Sequence, residues 1–313
     1  MAKKSNKSKK SPMIMIGILS AIIAASVAGI FYLNRSTGEA VSFDHIHGMG
    51  YTGDGNSLVI PAHDGLRIYE KGSWRNSENE PNDYMGFSMT NDGFFSSGHP
   101  AQGSDLKNPF GVVKSDNFGS KIEPLALYGE IDFHGMAAGY NSKAIYIMNP
   151  QPNSVMESAG LYFSTDEAKS WNSSNAENVT GSASAIAVHP ENEKMLALGT
   201  DKGAFLSTDN GNIFNQASKE PVSALTYTFN EKILVGSMGE KAKLTILDLK
   251  SLEPKELPIP SSNEGEFISF IAVNPKDNNV ITYSTSENNI YQSNNGGDTW
   301  DAIADNGNGI KSE

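Results

Sequence analysis

One eight-residue pattern recurs in the chain at a fixed interval, and it constrains the fold more than any other feature. It occupies residues 207–214 (Ser-Thr-Asp-Asn-Gly-Asn-Ile-Phe), and it recurs at residues 164–171 and 293–300. The first serines of successive copies are separated by one and then by two periods of 43 residues. A fixed period of this size is typical of a repeat architecture in which each repeat is one supersecondary unit.

Each copy has the composition of a tight turn between two strands. The Ser and Asp side chains at its first and third positions can accept hydrogen bonds from backbone N–H groups of the turn. The usual glycine at the fifth position tolerates a positive φ. The aromatic residue at the eighth position can bury a large apolar area between neighbouring repeats. We therefore interpret the pattern as a structural hairpin and not as a catalytic motif.

The form Ser-x-Asp-x-Gly-x-x-aromatic resembles the Asp box, or BNR repeat, of sialidase-like and sortilin-like β-propellers. Residues 43–304 as a whole resemble the membrane-anchored, glycosyl-hydrolase-like propellers of Gram-positive bacteria. The resemblance implies a propeller fold. It also implies two alternative functions, which are hydrolysis of cell-surface or extracellular glycans and binding of a peptide or protein as an assembly module.

The 43-residue period divides residues 43–304 into six units of short, β-rich segments separated by Gly, Asn, Asp and Pro. The units are 43–80, 81–128, 129–180, 181–220, 221–260 and 261–304. Four strands are predicted in each unit, so the fold class is all-β and the architecture is a six-bladed β-propeller. In the second unit, residues 114–119 form a variant of the pattern with one residue too many before glycine. The fifth unit has lost the pattern, and residues 250–257 stand where the period predicts it. Whether residues 37–44 add an edge strand to the last blade is left open.

The N-terminal region predicts a membrane anchor. Residues 1–12 form a basic tail with five lysines, and residues 13–33 are an uncharged apolar segment. A helix of that length spans a bilayer core of about 30 Å, and the preceding lysines place the N-terminus in the cytoplasm. Cleavage as a signal peptide after Ala28 is the alternative, but the apolar segment continues to Leu33. The sequence thus predicts a single-pass cell-membrane protein with a stalk at 34–42, an extracytoplasmic propeller at 43–304 and a tail at 305–313.

Composition excludes several kinds of site. The formal net charge of −12 is unfavourable for binding nucleic acid, because phosphate contacts need clustered Lys and Arg. The chain has no Cys and therefore no disulfide. It also lacks a phosphate-binding Gly-Lys-Ser/Thr loop and a Gly-x-Ser-x-Gly nucleophile motif.

Five of the six histidines map to one face of the predicted propeller. Three of them stand where the first strand of a unit starts, and two stand in the turn between a second and a third strand: His45, His47 and His134, and His63 and His99. Both places lie opposite the repeated hairpin, so we predict a ligand-binding site on this face. His189 maps to a turn between a first and a second strand, on the opposite face, and is interpreted as a turn residue.

Imidazoles that converge from adjacent blades are typical of a transition-metal site. His45 and His47 are two residues apart in a strand and point to the same side. The sequence His-Gly-Met occurs at both 47–49 and 134–136. Zinc, manganese or iron fits if nearby carboxylates take part, and copper fits if thioethers take part. The candidate carboxylates are Asp44, Asp64 and Asp132, and the candidate thioethers are Met49 and Met136. Alternatively, the imidazoles only bond to one another, to backbone and to water.

Hydrolysis would require two carboxyl groups about 5 to 9.5 Å apart. Asp44, Asp64 and Asp132 are the catalytic candidates for such a pair, and Asp105 and Glu287 lie on the same predicted face. Sialidase activity is excluded, since that family uses three arginines and a Phe/Tyr-Arg-Ile-Pro motif. This chain has only Arg35, Arg67 and Arg75 and lacks the motif. Inserted loops at 100–109 and 149–160 are predicted on the histidine face, where they could shape a site for a small molecule, glycan or peptide.

Overall fold

The computed structural model describes residues 41–116 and 118–311. Within these residues all regular structure is β-strand, and no helix is present that could cross a membrane. The predicted basic tail, the membrane anchor and most of the stalk lie outside the described residues.

The described strands form six antiparallel sheets, and in each sheet the strand order follows the chain. The first three are β1 (Gly50–Tyr51), β2 (Ser57–Ala62), β3 (Gly65–Glu70) and β4 (Ser73–Asn76); β5 (Asp83–Thr90), β6 (Gly93–His99), β7 (Val112–Ser115) and β8 (Glu123–Ala126); and β9 (Met136–Ala138), β10 (Ile145–Asn149), β11 (Gly160–Ser164) and β12 (Asn172–Ser174). The next two are β13 (Ala183–Val188), β14 (Leu196–Thr200), β15 (Gly203–Ser207) and β16 (Asn215–Gln216); and β17 (Val222–Tyr227), β18 (Lys232–Ser237), β19 (Lys243–Asp248) and β20 (Pro254–Leu257). The sixth is β21 (Ile268–Asn274), β22 (Asp277–Thr285), β23 (Ile290–Ser293), β24 (Asp301–Asp305) and β25 (Asn308–Gly309).

Each sheet is one blade of a six-bladed propeller, as the 43-residue period predicts. The core is divided among hydrophobic clusters at the interfaces between consecutive blades, including the interface between blades one and six. The aromatic residues of the repeated pattern contribute to these interfaces. Phe214 is buried between blades three and four, and Trp171 and Trp300 pack at the edges of two other clusters. Burial of both faces of each sheet is what stabilises such a ring.

The repeated pattern forms the turn between the third and fourth strands of its blade. The Ser207 hydroxyl donates to Asp209 Oδ1 at 2.7 Å and accepts the Gly211 N–H at 3.0 Å. Asp209 Oδ1 also accepts the Ile213 N–H at 3.0 Å. The other two copies make the same three bonds. Gly211 has a φ of +77°, which explains why glycine is favoured at the fifth position.

The turns of the second and fifth blades differ from the predicted pattern. Gly119 donates its N–H to Ser115 Oγ at 3.2 Å, and this four-residue spacing is the one found in the regular copies. The prediction of an extra residue before glycine is therefore wrong, because the serine and the glycine are separated by the same number of residues as in the regular copies. In the fifth blade, Asp248 Oδ1 accepts the N–H groups of Lys250 and Ser251. An Asx turn after Asp248 replaces the lost pattern and starts earlier than the period predicts.

The two ends of the described chain meet in the sixth blade. The Phe43 N–H donates to the Gly307 carbonyl at 2.7 Å, and the Gly309 N–H donates to the Val41 carbonyl at 2.8 Å. Residues 41–43 of the segment that the sequence left open therefore extend the last blade beyond β25, and residues 37–40 lie outside the described residues. The buried side chain of Arg67, in blade one, donates its Nε–H to the Ser42 carbonyl at 2.9 Å.

Candidate metal-binding site

The histidines predicted to share a face do so. In an antiparallel four-stranded blade, the start of the first strand and the turn between the second and third strands lie at the same end. All five of these histidines occupy such positions, and we call this end the histidine face. His189 follows β13 and lies at the other end, as predicted. The inserted loops between β6 and β7 and between β10 and β11 are on the histidine face.

Glycines allow the innermost strands of neighbouring blades to approach closely at this face. A Cβ on Gly48 would lie 2.9 Å from the Phe87 Cβ, and one on Gly86 would lie 2.8 Å from the Met136 Cβ. Such contacts are too short for any side chain, so blades one, two and three converge here because of these glycines. This convergence brings the residues before β1, β5 and β9 together.

The first His–Asp cluster consists of His47, His63 and Asp83, and it joins blade one to blade two. Asp83 Oδ2 lies 2.8 Å from His63 Nδ1, and Asp83 Oδ1 lies 3.4 Å from His47 Nε2. One donor atom from each of the three side chains lies within 4.8 Å of the other two. His45 is exposed beside the cluster, with its ring centroid 5.2 Å from that of His63.

The contact between His47 and Asp83 is not a hydrogen bond. Both His47 Nε2 and Asp83 Oδ1 are buried, and neither has a hydrogen-bond partner within the described part of the chain. The side chains of the two residues are only 17% and 16% exposed. Burial lowers the pKa of His47, and the neighbouring imidazoles of His63, His45 and His134 lower it further, although Asp83 opposes them. His47 is therefore kept neutral, with a nitrogen lone pair that can bind a cation.

The second His–Asp cluster consists of His99, His134 and Asp132, and it joins blade two to blade three. Asp132 Oδ2 lies 2.8 Å from His134 Nε2 and 3.5 Å from His99 Nε2. The hydroxyl of Ser97 donates to Asp132 Oδ1 at 3.0 Å. His99 is also held by the inserted loop, because its Nδ1 lies 2.7 Å from Asn108 Oδ1.

Both clusters adjoin the central channel. The innermost strands enclose a cavity of about 220 Å³, which His47 and His134 line together with apolar and small residues. Met49 and Met136 also line it, but their side chains are packed in two different interblade clusters, between blades one and six and between blades two and three. The thioethers are thus part of the hydrophobic core, and the donors gathered in the His–Asp clusters are nitrogen and oxygen.

The other carboxylates predicted as candidates lie apart from the clusters. Asp64 is hydrogen-bonded to Arg67 and exposed. Asp44 and Asp105 are exposed, and Glu287 accepts a hydrogen bond from Asn263 Nδ2 at 2.7 Å. Of the predicted candidates, Asp132 is the carboxylate that contacts imidazoles.

Sequence reasoning missed Asp83, although a signal for it exists. Asp83 and Asp132 both stand three residues before a glycine, in Asp83-Tyr-Met-Gly86 and Asp132-Phe-His-Gly135. When the first strands are aligned on these glycines and on Gly48, His45 takes the position that Asp83 and Asp132 take in the next two blades. At this position, the aspartate of one blade contacts the histidine that ends the second strand of the preceding blade.

Comparisons with known proteins identify the fold and no family. No protein-family model matches the chain, and no curated protein matches its sequence. The fold is similar to that of the GH74 xyloglucanase from Xanthomonas campestris, with a TM-score of 0.54 and 14% identity over 85% of this chain and 46% of that one. It is also similar to that of the GH74 enzyme from Niastella koreensis, with a TM-score of 0.56 and 13% identity over 84% of this chain and 46% of that one.

YCF48 bound to D1 peptide matches with a TM-score of 0.49 and 15% identity over 84% of this chain and 83% of that one. The present chain spans about half the length of the GH74 chains, 46% in both cases. At these identities the likeness establishes the propeller fold alone.

Proposed function

We propose that this protein binds a divalent transition metal ion at the first His–Asp cluster and presents it to a ligand on the histidine face. One observation carries the proposal. His47 Nε2 and Asp83 Oδ1 are buried, face each other across 3.4 Å, and have no hydrogen-bond partner among residues 41–116 and 118–311. Leaving two buried polar atoms unsatisfied costs about 1–3 kcal/mol each. A cation between them would satisfy both.

The donor set favours zinc. Zinc accepts imidazole nitrogen and carboxylate oxygen, and sites with three protein ligands keep a position open for water or another ligand. His47, His63 and Asp83 would supply those three ligands. His63 would bind through Nδ1 after its proton moves from Nδ1 to Nε2, a tautomer change that its half-exposed position allows. His45, beside the cluster, could occupy the fourth position. Copper is the competing ion, because it also binds imidazole.

The test is metal binding by the purified full-length chain after treatment with a chelator. Calorimetric titration with Zn²⁺ should show a specific site, and Asp83→Asn or His47→Ala should weaken it by more than about 100-fold, since changes in outer-shell groups alone cost 10–100-fold. Asp105→Asn removes an exposed carboxylate on the same face and should leave binding unchanged. The proposal is wrong if wild type and Asp83→Asn bind Zn²⁺ equally. Cu²⁺ binds most nitrogen and oxygen sites more tightly than Zn²⁺, so the metal is identified by elemental analysis of the protein as purified from cells. Copper there, lost in Asp83→Asn, would change the metal and keep the site.

We further propose that the propeller is held outside the cell membrane by residues 13–33. The support is the length and apolarity of that segment and the lysines that precede it. The protein should then sediment with membranes of intact cells and be cut by added protease. Resistance to protease until the cells are lysed would contradict the orientation.

We also interpret the three repeated turns as Asp boxes with a structural role. The support is that the same three hydrogen bonds recur in every copy. Likeness of fold to GH74 enzymes adds nothing in favour of glycan hydrolysis, because fold does not determine activity.

A further inference from the structure

The second His–Asp cluster repeats the arrangement of the first one blade further round the ring. In each cluster a single aspartate contacts two imidazoles, one at 2.8 Å and one at 3.4 or 3.5 Å, through both oxygens of Asp83 in the first and through Oδ2 of Asp132 in the second. Among the described residues, only the first cluster brings three donor atoms within 4.8 Å of one another, so the imidazoles of the second would have to move closer together around an ion. In each, a histidine at the end of a blade's second strand meets an aspartate at the start of the next blade's first strand or shortly before it. We infer that His99, His134 and Asp132 form a second site for the same class of ion. This inference rests on the proposed function of the first cluster for the nature of the metal.

The tautomer of His99 suits a metal ligand. The side-chain oxygen of Asn108 can only accept a hydrogen bond, so the His99 nitrogen that faces it at 2.7 Å, Nδ1, carries the proton. With its proton on Nδ1, His99 presents the lone pair of Nε2 to Asp132 Oδ2 at 3.5 Å. Two acceptors at this distance repel each other unless a proton or a metal ion lies between them. Metal-bound histidines commonly have their other ring nitrogen hydrogen-bonded in this way.

Asp132 is also oriented so that one carboxylate oxygen faces the imidazoles. The Ser97 hydroxyl donates to Oδ1 at 3.0 Å and itself accepts the Phe133 N–H at 2.9 Å. Oδ2 is thereby left for the imidazoles. His134 would bind the ion through Nε2, and its proton would move to Nδ1. The site would therefore offer two imidazole nitrogens and one carboxylate oxygen, the donor set of the first cluster.

The second site should bind its ion more weakly than the first. The side chains of His134 and His99 are 71% and 43% exposed, whereas that of His47 is 17% exposed. More mobile ligands lose more rotamer entropy when the ion fixes them.

The experiment is a Zn²⁺ titration of the purified full-length chain, followed by calorimetry and by elemental analysis at equilibrium. Wild type should bind two ions with different affinities. His63→Ala/Asp83→Asn should lose the tighter site, and His99→Ala/Asp132→Asn should lose the weaker one. Asn108→Ala should weaken only the second site, by about 10–100-fold, because Asn108 acts through His99. Far-UV circular dichroism checks that each variant is folded, and Asp105→Asn is the matched control.

The outcomes separate this inference from the proposed function. A single ion, lost in His63→Ala/Asp83→Asn and unaffected by His99→Ala/Asp132→Asn, would overturn the second site and leave the first in place. A single ion with the reverse dependence would overturn the proposed function and retain the second cluster. Two ions with both pairs of variants behaving as wild type would overturn both assignments, as would no binding by wild type. Should the double variants fail to fold, Asn108→Ala with an unchanged weaker site would contradict the inference.

Discussion

Replacing Asp83 by asparagine should have opposite effects on the stability of the protein without metal and with metal. Asp83→Asn keeps the shape of the side chain and an oxygen that can accept the bond from His63. It replaces the other oxygen by an NH₂ group, which can donate to His47 Nε2. The change thus removes the negative charge that a metal ion needs and supplies the hydrogen bond that the wild-type pair lacks.

The magnitude without metal follows from these contacts. A hydrogen bond to a charged group contributes about 1.5–3 kcal/mol and a neutral one about 0.5–1.5 kcal/mol, so the contact with His63 weakens by about 1 kcal/mol. Satisfying the buried His47 Nε2 recovers about 1–3 kcal/mol. The variant without metal should therefore be as stable as wild type or more stable by up to about 2 kcal/mol. With Zn²⁺ at 100 times its dissociation constant, wild type gains about 2.7 kcal/mol, and the variant gains none from this site.

The assay is thermal unfolding in the presence of chelator and again in the presence of Zn²⁺. With an unfolding entropy of about 2.1 cal/mol/K per residue, 2.7 kcal/mol corresponds for a chain of this size to a rise in Tm of about 4–5 °C. Wild type should show this rise at the tighter site, and Asp83→Asn should lose it while its Tm in chelator is unchanged or higher. The reasoning is refuted if Asp83→Asn lowers the stability without metal by more than about 2 kcal/mol, or if it retains the full Zn²⁺-induced rise.

Three further predictions concern other parts of the molecule. Burial lowers the pKa of His189 below its ordinary value of 6.5, although Glu231 opposes this shift. The neutral imidazole therefore contributes fully to the stability of the fold above pH 6.5, and this contribution is lost as the pH falls through the lowered pKa. His189→Asn keeps an acceptor for the neighbouring N–H groups but cannot take up a proton. Its free energy of unfolding in urea should therefore depend less on pH than that of wild type, and equal pH dependence of the two proteins would contradict this prediction. Ser207→Ala removes three hydrogen bonds of a repeated turn and should cost about 1–3 kcal/mol in urea unfolding. Ser251→Ala, at an exposed turn, should cost under about 0.5 kcal/mol. Arg67→Met leaves the Ser42 carbonyl without its side-chain donor and should cost about 1 kcal/mol, with faster amide exchange at the start of blade one; unchanged exchange would argue against this contact.

Much of the fold could be predicted because the repeated turn sets the spacing of all blades. In the fourth unit, the pattern of apolar residues and turn residues predicts strands at 183–189, 195–200, 204–208 and 213–216. They correspond to β13, β14, β15 and β16. The last is shorter than predicted, since Phe214 turns into the interface between blades three and four before β16 begins. Alternation of apolar and polar residues locates a strand well, but it does not show where a turn residue enters the core.

The histidine face could be predicted, but the grouping of its residues could not. The sequence places five imidazoles at one end of the propeller, because the period fixes the end at which each turn lies. It does not show which side chain of one blade meets which side chain of the next. Asp83 could have been placed on this face by aligning the first strands on their glycines, but its contacts with His47 and His63 could not. Asp64 is close to His63 in the sequence, but Arg67 binds its carboxylate instead. Such choices depend on contacts across blade interfaces, which local patterns do not encode.

The pairing of residues 41–43 with the strand at the opposite end of the chain has a consequence for the order of folding. These residues are the first of the described chain to leave the ribosome, and their partners around Asn308 are among the last. The contacts between residues 41–43 and residues 307–309 can therefore form only after the sixth blade has been synthesised. Because closure entropy grows with the logarithm of loop length, joining the two ends costs about 3 kcal/mol more than closing a hairpin within a blade. The contacts between blades one and six must outweigh this cost, so the closure depends on the whole chain being present.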